Sequence, residues 1–294
     1  MKGIVALVFL AVASGAAAAE DPVIVGAGDI ADCTQLSGAA KTAVLLDRIS
    51  GTVFTLGDNA YLSGTPAQFA DCYAPTWGRH KARTHPAVGN HEYKTSRASG
   101  YFEYFGPAAG NPEEGWYSYD LGPWHIVVLN SNCAQIGGCQ RGSKQEKWLR
   151  EDLAAHRAPC VAAMWHHPRF SSGAEHGDDP TVHDLWQALT DAGAEFVLAG
   201  HEHVYERFAP QTADGGADPE HGLRAFTVGT GGRELYPWGR IKSNSEVRDN
   251  KTFGVLELKL HPDSYDWRFV PVDGEKFTDS GSAKCHPKGG APHG

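Results

Sequence analysis

His201 and His203 stand one residue apart in LAGHEHVYER (198–207), directly after the apolar run FVLA. In an extended segment, residues i and i+2 project to the same side, so both imidazoles could enter one site. Comparable clusters follow other apolar runs: Gly28-Asp29, Gly57-Asp58-Asn59-Ala60-Tyr61, Gly89-Asn90-His91-Glu92 and His166-His167-Pro168. Any one of them reads equally well as a helix cap, a turn or a satisfied core histidine. Five in succession, each closing a strand-like run, read as one site. Asp29, Asp58, Tyr61, Asn90, His166, His201 and His203 together offer seven donor side chains. One octahedral ion rarely uses seven. Two ions sharing a carboxylate use them all, and ions paired at roughly 3.5–4 Å serve phosphate-ester hydrolysis. The mixture of carboxylate, amide, imidazole and phenol suits iron, manganese or zinc rather than calcium or copper(I).

The elements that must carry these donors can be read from periodicity. VIVGAGD (23–29), TVFTLGD (52–58), HPAV (85–88), HIVVLNS (125–131), CVAAMWH (160–166) and FVLAGH (196–201) look like buried strands. Helical spacing marks TAVLLDRI (42–49), QEKWLREDLAAH (145–156) and TVHDLWQALTDAGA (181–194), the last following Pro180. Strands alternating with helices predict an α/β layered fold, in which sites assemble in loops at the carboxyl ends of strands. A glycine just before most of the donor clusters allows a sharp turn there. The segment 253–272, FGVLELKL-HPDS-YDWRFVPV, reads as a C-terminal antiparallel hairpin. No linker or internal repeat interrupts the chain, so one domain is expected over residues 20–284, with a Gly-rich tail at 285–294.

Composition narrows the surroundings. Met1-Lys2, the run IVALVFLAVASG and the alanines up to Ala19 have the form of a secretory signal, residues 1–19. A secreted or periplasmic location is therefore expected, and no later stretch is long and apolar enough for stable membrane association. Six cysteines (33, 72, 133, 139, 160, 285) contain no Cys-x-x-Cys pair, which in an oxidising compartment favours disulfides over zinc. Six allow fifteen connectivities; Cys133–Cys139 is the local bridge expected, with Cys33–Cys72 and Cys160–Cys285 completing the set. Twenty-six basic against 35 acidic residues give a net charge of −9, which offers nothing to nucleic acid. An anionic substrate would need a local positive centre, and bound metal ions would provide it.

These clusters resemble the five blocks of the calcineurin-like metallophosphoesterases, in the purple acid phosphatase branch. The family's GDxG, GDxxY, GNH[DE], VxxH and GHxH stand here as GDIA (28–31), GDNAY (57–61), GNHE (89–92), AMWH (163–166) and GHEH (200–203). Tyr61 selects the purple branch, and the departures Ala31 and Ala163 fall on positions that supply no ligand. The resemblance implies a four-layer αββα sandwich and a compact form without the plant enzymes' extra β-domain. It places Asp29, Tyr61 and His203 on a first metal, Asn90, His166 and His201 on a second, and Asp58 between them. It further implies Fe(III) at Tyr61, with Fe(II), zinc or manganese at the other site. His91 is expected as the proton donor to the leaving group, and His176, in AEHG, as a second substrate-facing histidine. The implied function is a secreted phosphatase cleaving small phosphate monoesters by in-line attack of a metal-bound hydroxide. A phosphodiesterase of the same fold, or a non-catalytic metal-carrying envelope protein, are the alternatives.

Overall fold

In the strand Cys160–Met164 every residue is buried, but on two different faces. Cys160, Ala162 and Met164 join one apolar cluster, whereas Val161 and Ala163 join another. The same period of two divides Trp124–Val128, where Trp124, Ile126 and Val128 face the first cluster and Val127 the second. A sheet with both faces buried must lie between two other layers.

The computed structural model describes residues 20–287, and the signal read at 1–19 lies outside them. Among the described residues two large sheets are present, beside a two-stranded parallel pair, Ala31–Asp32 with Ala60–Tyr61. The first runs Ser280–Lys284, Ser264–Pro271, Gly254–Leu260, Val23–Ala27, Thr52–Leu56, Thr84–Ala87 in spatial order. The second runs Ser245–Asp249, Tyr205–Phe208, Arg224–Val228, Phe196–Ala199, Cys160–Met164, Trp124–Val128, Tyr117–Leu121. In the first sheet Val23–Ala27, Thr52–Leu56 and Thr84–Ala87 pair in parallel out to one edge and the other three strands are antiparallel; in the second, parallel pairing holds at the heart and antiparallel strands close both edges. The sheets meet through aromatic side chains, with ring centroids 4.8 Å apart for Phe196–Tyr265 and 5.7 Å for Phe226–Trp267.

Helices cover the outer faces. Lys144–Ala155 and His183–Asp191 bring Leu149, Leu185, Trp186 and Leu189 against the second sheet's outward residues. Ser143 caps the first of these by accepting the Glu146 N–H. On the other side, Ser37–Arg48 buries Ala39, Ala43 and Leu46 in the cluster that contains Val53 and Phe54 of the first sheet. The result is the four-layer αββα sandwich. All three expected helices and six expected strands are present, with ends shifted by a few residues. The C-terminal hairpin is present as Gly254–Leu260 and Ser264–Pro271, and Ser280–Lys284 extends it to three strands.

Disulfides join Cys33–Cys72, Cys133–Cys139 and Cys160–Cys285. The bridge at Cys285 and the His286 N–H donated to Glu195 Oε2 (2.8 Å) pin the start of the C-terminal tail; residues after 287 lie outside the described part. No helix among the described residues is long and apolar enough to cross a membrane.

One buried histidine ties the edge of the second sheet to a helix. His125 has a side chain only 1% exposed; its Nδ1 lies 2.7 Å from Asp120 Oδ1 and its Nε2 2.8 Å from Asp152 Oδ2. Burial alone would lower its pKa, but the hydrogen bonds to Asp152 and Asp120 outweigh that and raise it above 6.5. A raised folded-state pKa gives stability that is complete below the unfolded value and fades as pH climbs through the folded one. The unfolding free energy lost on His125→Gln is therefore expected to be larger near about pH 5 than near about pH 9. Urea titrations of both proteins at the two pH values test this, and an equal or reversed difference refutes the ion triad.

Candidate metal centre

The parallel strands of both sheets stop immediately before the donor residues. Val23–Ala27 leads to Asp29, Thr52–Leu56 to Asp58, Thr84–Ala87 to Asn90, Cys160–Met164 to His166, and Phe196–Ala199 to His201. The chain turns sharply there. Asp29, Asp58 and His201 adopt φ of 61°, 50° and 70°, left-handed conformations that cost non-glycine residues about 1 kcal/mol or more each. Local hydrogen bonds hold them. Asp29 N–H donates to Gly57 O (3.1 Å), Asp58 N–H to Glu92 Oε2 (3.0 Å), and His201 N–H to Asp29 Oδ2 (2.8 Å). Gly57 (φ 84°) leaves room for a crossing neighbour, because a Cβ there would lie 2.5 Å from His166 Nδ1.

The seven side chains converge as two half-sites. On one side, Tyr61 Oη donates to Asp29 Oδ1 (2.9 Å) and lies 3.1 Å from His203 Nε2, itself 3.4 Å from Asp29 Oδ1. On the other, His166 Nε2 lies 2.9 Å from Asn90 Oδ1 and 3.1 Å from His201 Nδ1. Asp58 Oδ2 reaches both, at 3.1 Å from Tyr61 Oη and 3.4 Å from His166 Nε2. A single carboxylate oxygen thus touches each half.

The outer contacts orient the rings. His203 Nδ1 donates to Glu234 O (2.6 Å) and His166 Nδ1 to Leu56 O (2.7 Å), leaving each Nε2 facing inward, an arrangement usual for metal-binding imidazoles. Tyr236 stacks on His203 at 3.9 Å. Glu92, fully buried, accepts four backbone N–H bonds, from Asn59 (2.8 Å) and Ala60 (3.2 Å) at Oε1 and from Gly89 (2.7 Å) and Asp58 (3.0 Å) at Oε2. Burial, then repulsion from Asp58, pushes its carboxyl up to about 7.

The electrostatics fit a site built for cations. Burial would raise the Asp58 pKa, yet attraction to His166 and hydrogen bonding to it hold the carboxyl below its ordinary value. His166 in turn rises to about 9: burial opposes its charge, but Asp58 and Asp29 favour it. Burial, followed by the neighbouring His166 and His167, keeps His201 neutral. Burial, with Asp29 and Asp58 beside it, raises the Tyr61 phenol well above 10. Asp29, Asp58 and His166 all offer ligand atoms within 4.8 Å of one another, as do His166, His167 and His201.

The two remaining expected residues flank this cluster. His91 Nδ1 donates to Leu62 O (2.8 Å), its Nε2 lies 3.8 Å from Asp58 Oδ2, and its ring meets Tyr61 at 4.5 Å. His176 is exposed and stacks on His201 at 4.0 Å. Residues 229–232 (GTGG) close another wall, where Gly231 N–H donates to Gly28 O (2.9 Å). Sequence reading did not single out Glu92, Glu202, Glu206 or Tyr236. For the three glutamates, their place inside or next to the donor motifs was the available signal; Tyr236 lies outside those motifs.

Comparison with known proteins agrees with this geometry. Residues 17–205 match the model of the calcineurin-like phosphoesterase family, and the chain belongs to that family. Purple acid phosphatase 21 of Arabidopsis thaliana is 29% identical over 219 residues, covering 65% of this chain and 48% of that protein. Human acid phosphatase type 7 is 31% identical over 142 residues, 42% of this chain and 32% of its own length. The chain therefore spans less than half the length of these curated relatives. Among solved structures, a purple acid phosphatase from yellow lupin (Lupinus luteus) seeds superposes with a TM-score of 0.72 at 19% identity, over 90% of this chain and 54% of that one. That likeness is one of fold. The family implies a dinuclear metal centre, and the Asp and His clusters it needs are in place.

Proposed function

We propose that this chain is a dinuclear metal phosphatase acting on phosphate monoesters of small molecules. The observation that carries the reading is the position of Asp58 Oδ2 between Tyr61 Oη and His166 Nε2, where one carboxylate can join two ions. Asp29, Tyr61 and His203 would hold one ion, Asn90, His166 and His201 the other, and Asp58 would bridge. A phenol among carboxylate and imidazole donors, with Tyr61 Oη beside Asp29 and His203, supports Fe(III) on its side, with Fe(II), zinc or manganese opposite. When bound, such a pair supplies Lewis acidity and a water acidic enough to be a nucleophile near neutral pH.

The chain's own groups do the rest. The Leu62 carbonyl holds the His91 ring with Nε2 3.1 Å from Lys94 Nζ and 3.8 Å from Asp58 Oδ2, where, protonated, it can donate to the departing oxygen. His176, stacked on His201, offers a second hydrogen bond to the phosphoryl group. With a net charge of −9, binding of a phosphate dianion depends on the two cations. The amino-terminal signal and three disulfides support export to the periplasm or beyond it.

Steady-state rates on an aryl phosphate monoester and the matching diester, with metal analysis and a visible spectrum, test the reading. The monoester should be the better substrate, and a phenolate-to-iron(III) band should colour the protein purple or pink. Faster diester cleavage would replace the proposed substrate class, and no turnover of either ester with two metals bound would favour a metal-carrying binding protein. Full activity in a colourless zinc or manganese protein would overturn the ferric assignment alone.

The two histidines of GHEH make separable predictions. His203→Ala should weaken the Tyr61-side ion by about 100-fold or more and abolish colour first; His201→Ala should empty the opposite side first. Equal loss of both ions in both variants contradicts this division.

A further inference from the structure

The motif GHEHVYER carries two glutamates as well as two histidines, and neither glutamate faces the metal ligands. Glu202 is fully buried. Its Oε1 accepts the Glu175 N–H (3.1 Å), and its Oε2 accepts those of His176 (3.0 Å) and Gly177 (3.3 Å). Three successive backbone N–H groups thus form an anion nest, and the anion it holds is the protein's own carboxylate. Glu206, also buried, takes the Ser172 N–H at Oε2 (2.8 Å) and the Ser245 hydroxyl at Oε1. The loop's other edge is stitched to residues 237–239 by Ala174 N–H to Pro237 O (3.0 Å) and Gly239 N–H to Ser172 O (2.8 Å). Gly173 sits so close that a Cβ there would overlap the Glu202 carboxylate.

This matters because the tip of the loop, Ala174 to His176, is exposed, and an exposed tip ordinarily wanders. Here the His176 ring is parallel to within 23° of the His201 ring, with centroids 4.0 Å apart. Nothing else polar on the His176 side chain fixes it among the hydrogen bonds and ion pairs of the described residues. Apart from its ring contacts with His201 and, edge-on at 5.7 Å, Tyr236, its placement rests on the backbone that Glu202 holds, a charge-assisted clamp of the stronger kind.

We propose that Glu202 is a positioning residue for His176. Glu202 locks residues 175–177 so that the imidazole stays at the mouth of the metal centre. The proposal rests on His176 facing substrate, as in the function proposed above.

A double-mutant cycle separates the two ideas. Glu202→Gln retains the side chain's size and one accepting oxygen, but sets an amide N–H₂ against the nest. It should keep two metals per chain while lowering kcat/KM by about 10-fold, and His176→Ala alone should lower it by about 10- to 100-fold. If the glutamate works through the histidine, Glu202→Gln adds less than about 2-fold to His176→Ala. Gly173→Ala displaces the carboxylate from the loop side and should give the same pattern, so the test survives if Glu202→Gln fails to fold. An equal loss from Glu202→Gln in both backgrounds, or loss of metal from it, overturns the positioning role. An unchanged rate in His176→Ala removes the substrate-facing role of His176, and the proposal falls with it, while metal-dependent turnover still stands or fails independently.

Discussion

Asp58→Asn is expected to cost both bound metals and nearly all turnover, on the order of 10³-fold or more in kcat. The substitution changes almost no volume, so the effect is one of charge. Asp58 is 1% exposed, and its Oδ2 sits between the two half-sites while its Oδ1 accepts the His91 N–H at 2.9 Å. An amide can still bond to the His91 N–H through its oxygen, so the loop geometry should persist. What it cannot do is share an anionic oxygen between two cations. The same change removes the carboxylate that stabilises charge on His166. Elemental analysis after dialysis, together with the melting temperature, checks this expectation. A variant that melts normally but holds less than one metal per chain fits, whereas one that retains two metals refutes the bridging role.

The second large effect falls on a residue that touches no metal in this account. Glu92→Ala is expected to destabilise the fold by about 3–5 kcal/mol and to disorder the centre. The carboxylate gathers the N–H groups of Asp58, Asn59, Ala60 and Gly89. Removing it leaves four buried donors unpaired, each costing about 1–3 kcal/mol, less whatever water entering the cavity restores. Two donor-bearing turns lose their common anchor at once, since Asp58 and Asn90 sit at the ends of the segments it joins. Glu92→Gln, which retains one accepting oxygen but brings an N–H₂ group against donors, should fall between the two. Denaturant midpoints and metal content measure both consequences. A Glu92→Ala protein within about 1 kcal/mol of the parent, still holding two metals, contradicts this role.

The donor residues were legible in the sequence because strand and ligand are coupled there. A buried strand is a short apolar run, and five of the runs here end in a donor, most of them just after a glycine as in FVLAGH, though CVAAMWH has a tryptophan there. Burial on two faces gave Cys160–Met164 and Phe196–Ala199 uninterrupted apolar runs. The edge strand Ser245–Asp249 lacks that signal: its residues are only partly buried, and backbone pairing with Tyr205–Phe208 defines it. Strand Tyr205–Phe208 was hidden inside the motif that drew attention to the histidines. The glutamates were illegible for another reason. Glu92 and Glu202 satisfy N–H groups brought near by folding, as far as 34 residues away for Asp58 and 27 for Glu175. A carboxylate inside a metal motif looks the same on paper whether it binds an ion or a backbone. Which one it does depends on the direction of the turn, and here the left-handed residues Asp58 and His201 set that direction.

Titration of the metal-free protein with metal, following phosphate-monoester turnover at each addition, bears most directly on the dinuclear centre. Activity should rise with a break at two equivalents per chain and should not exceed a small fraction of its final value at one. Full activity at one equivalent, or none at two, would contradict a shared Asp58 and the site built around it.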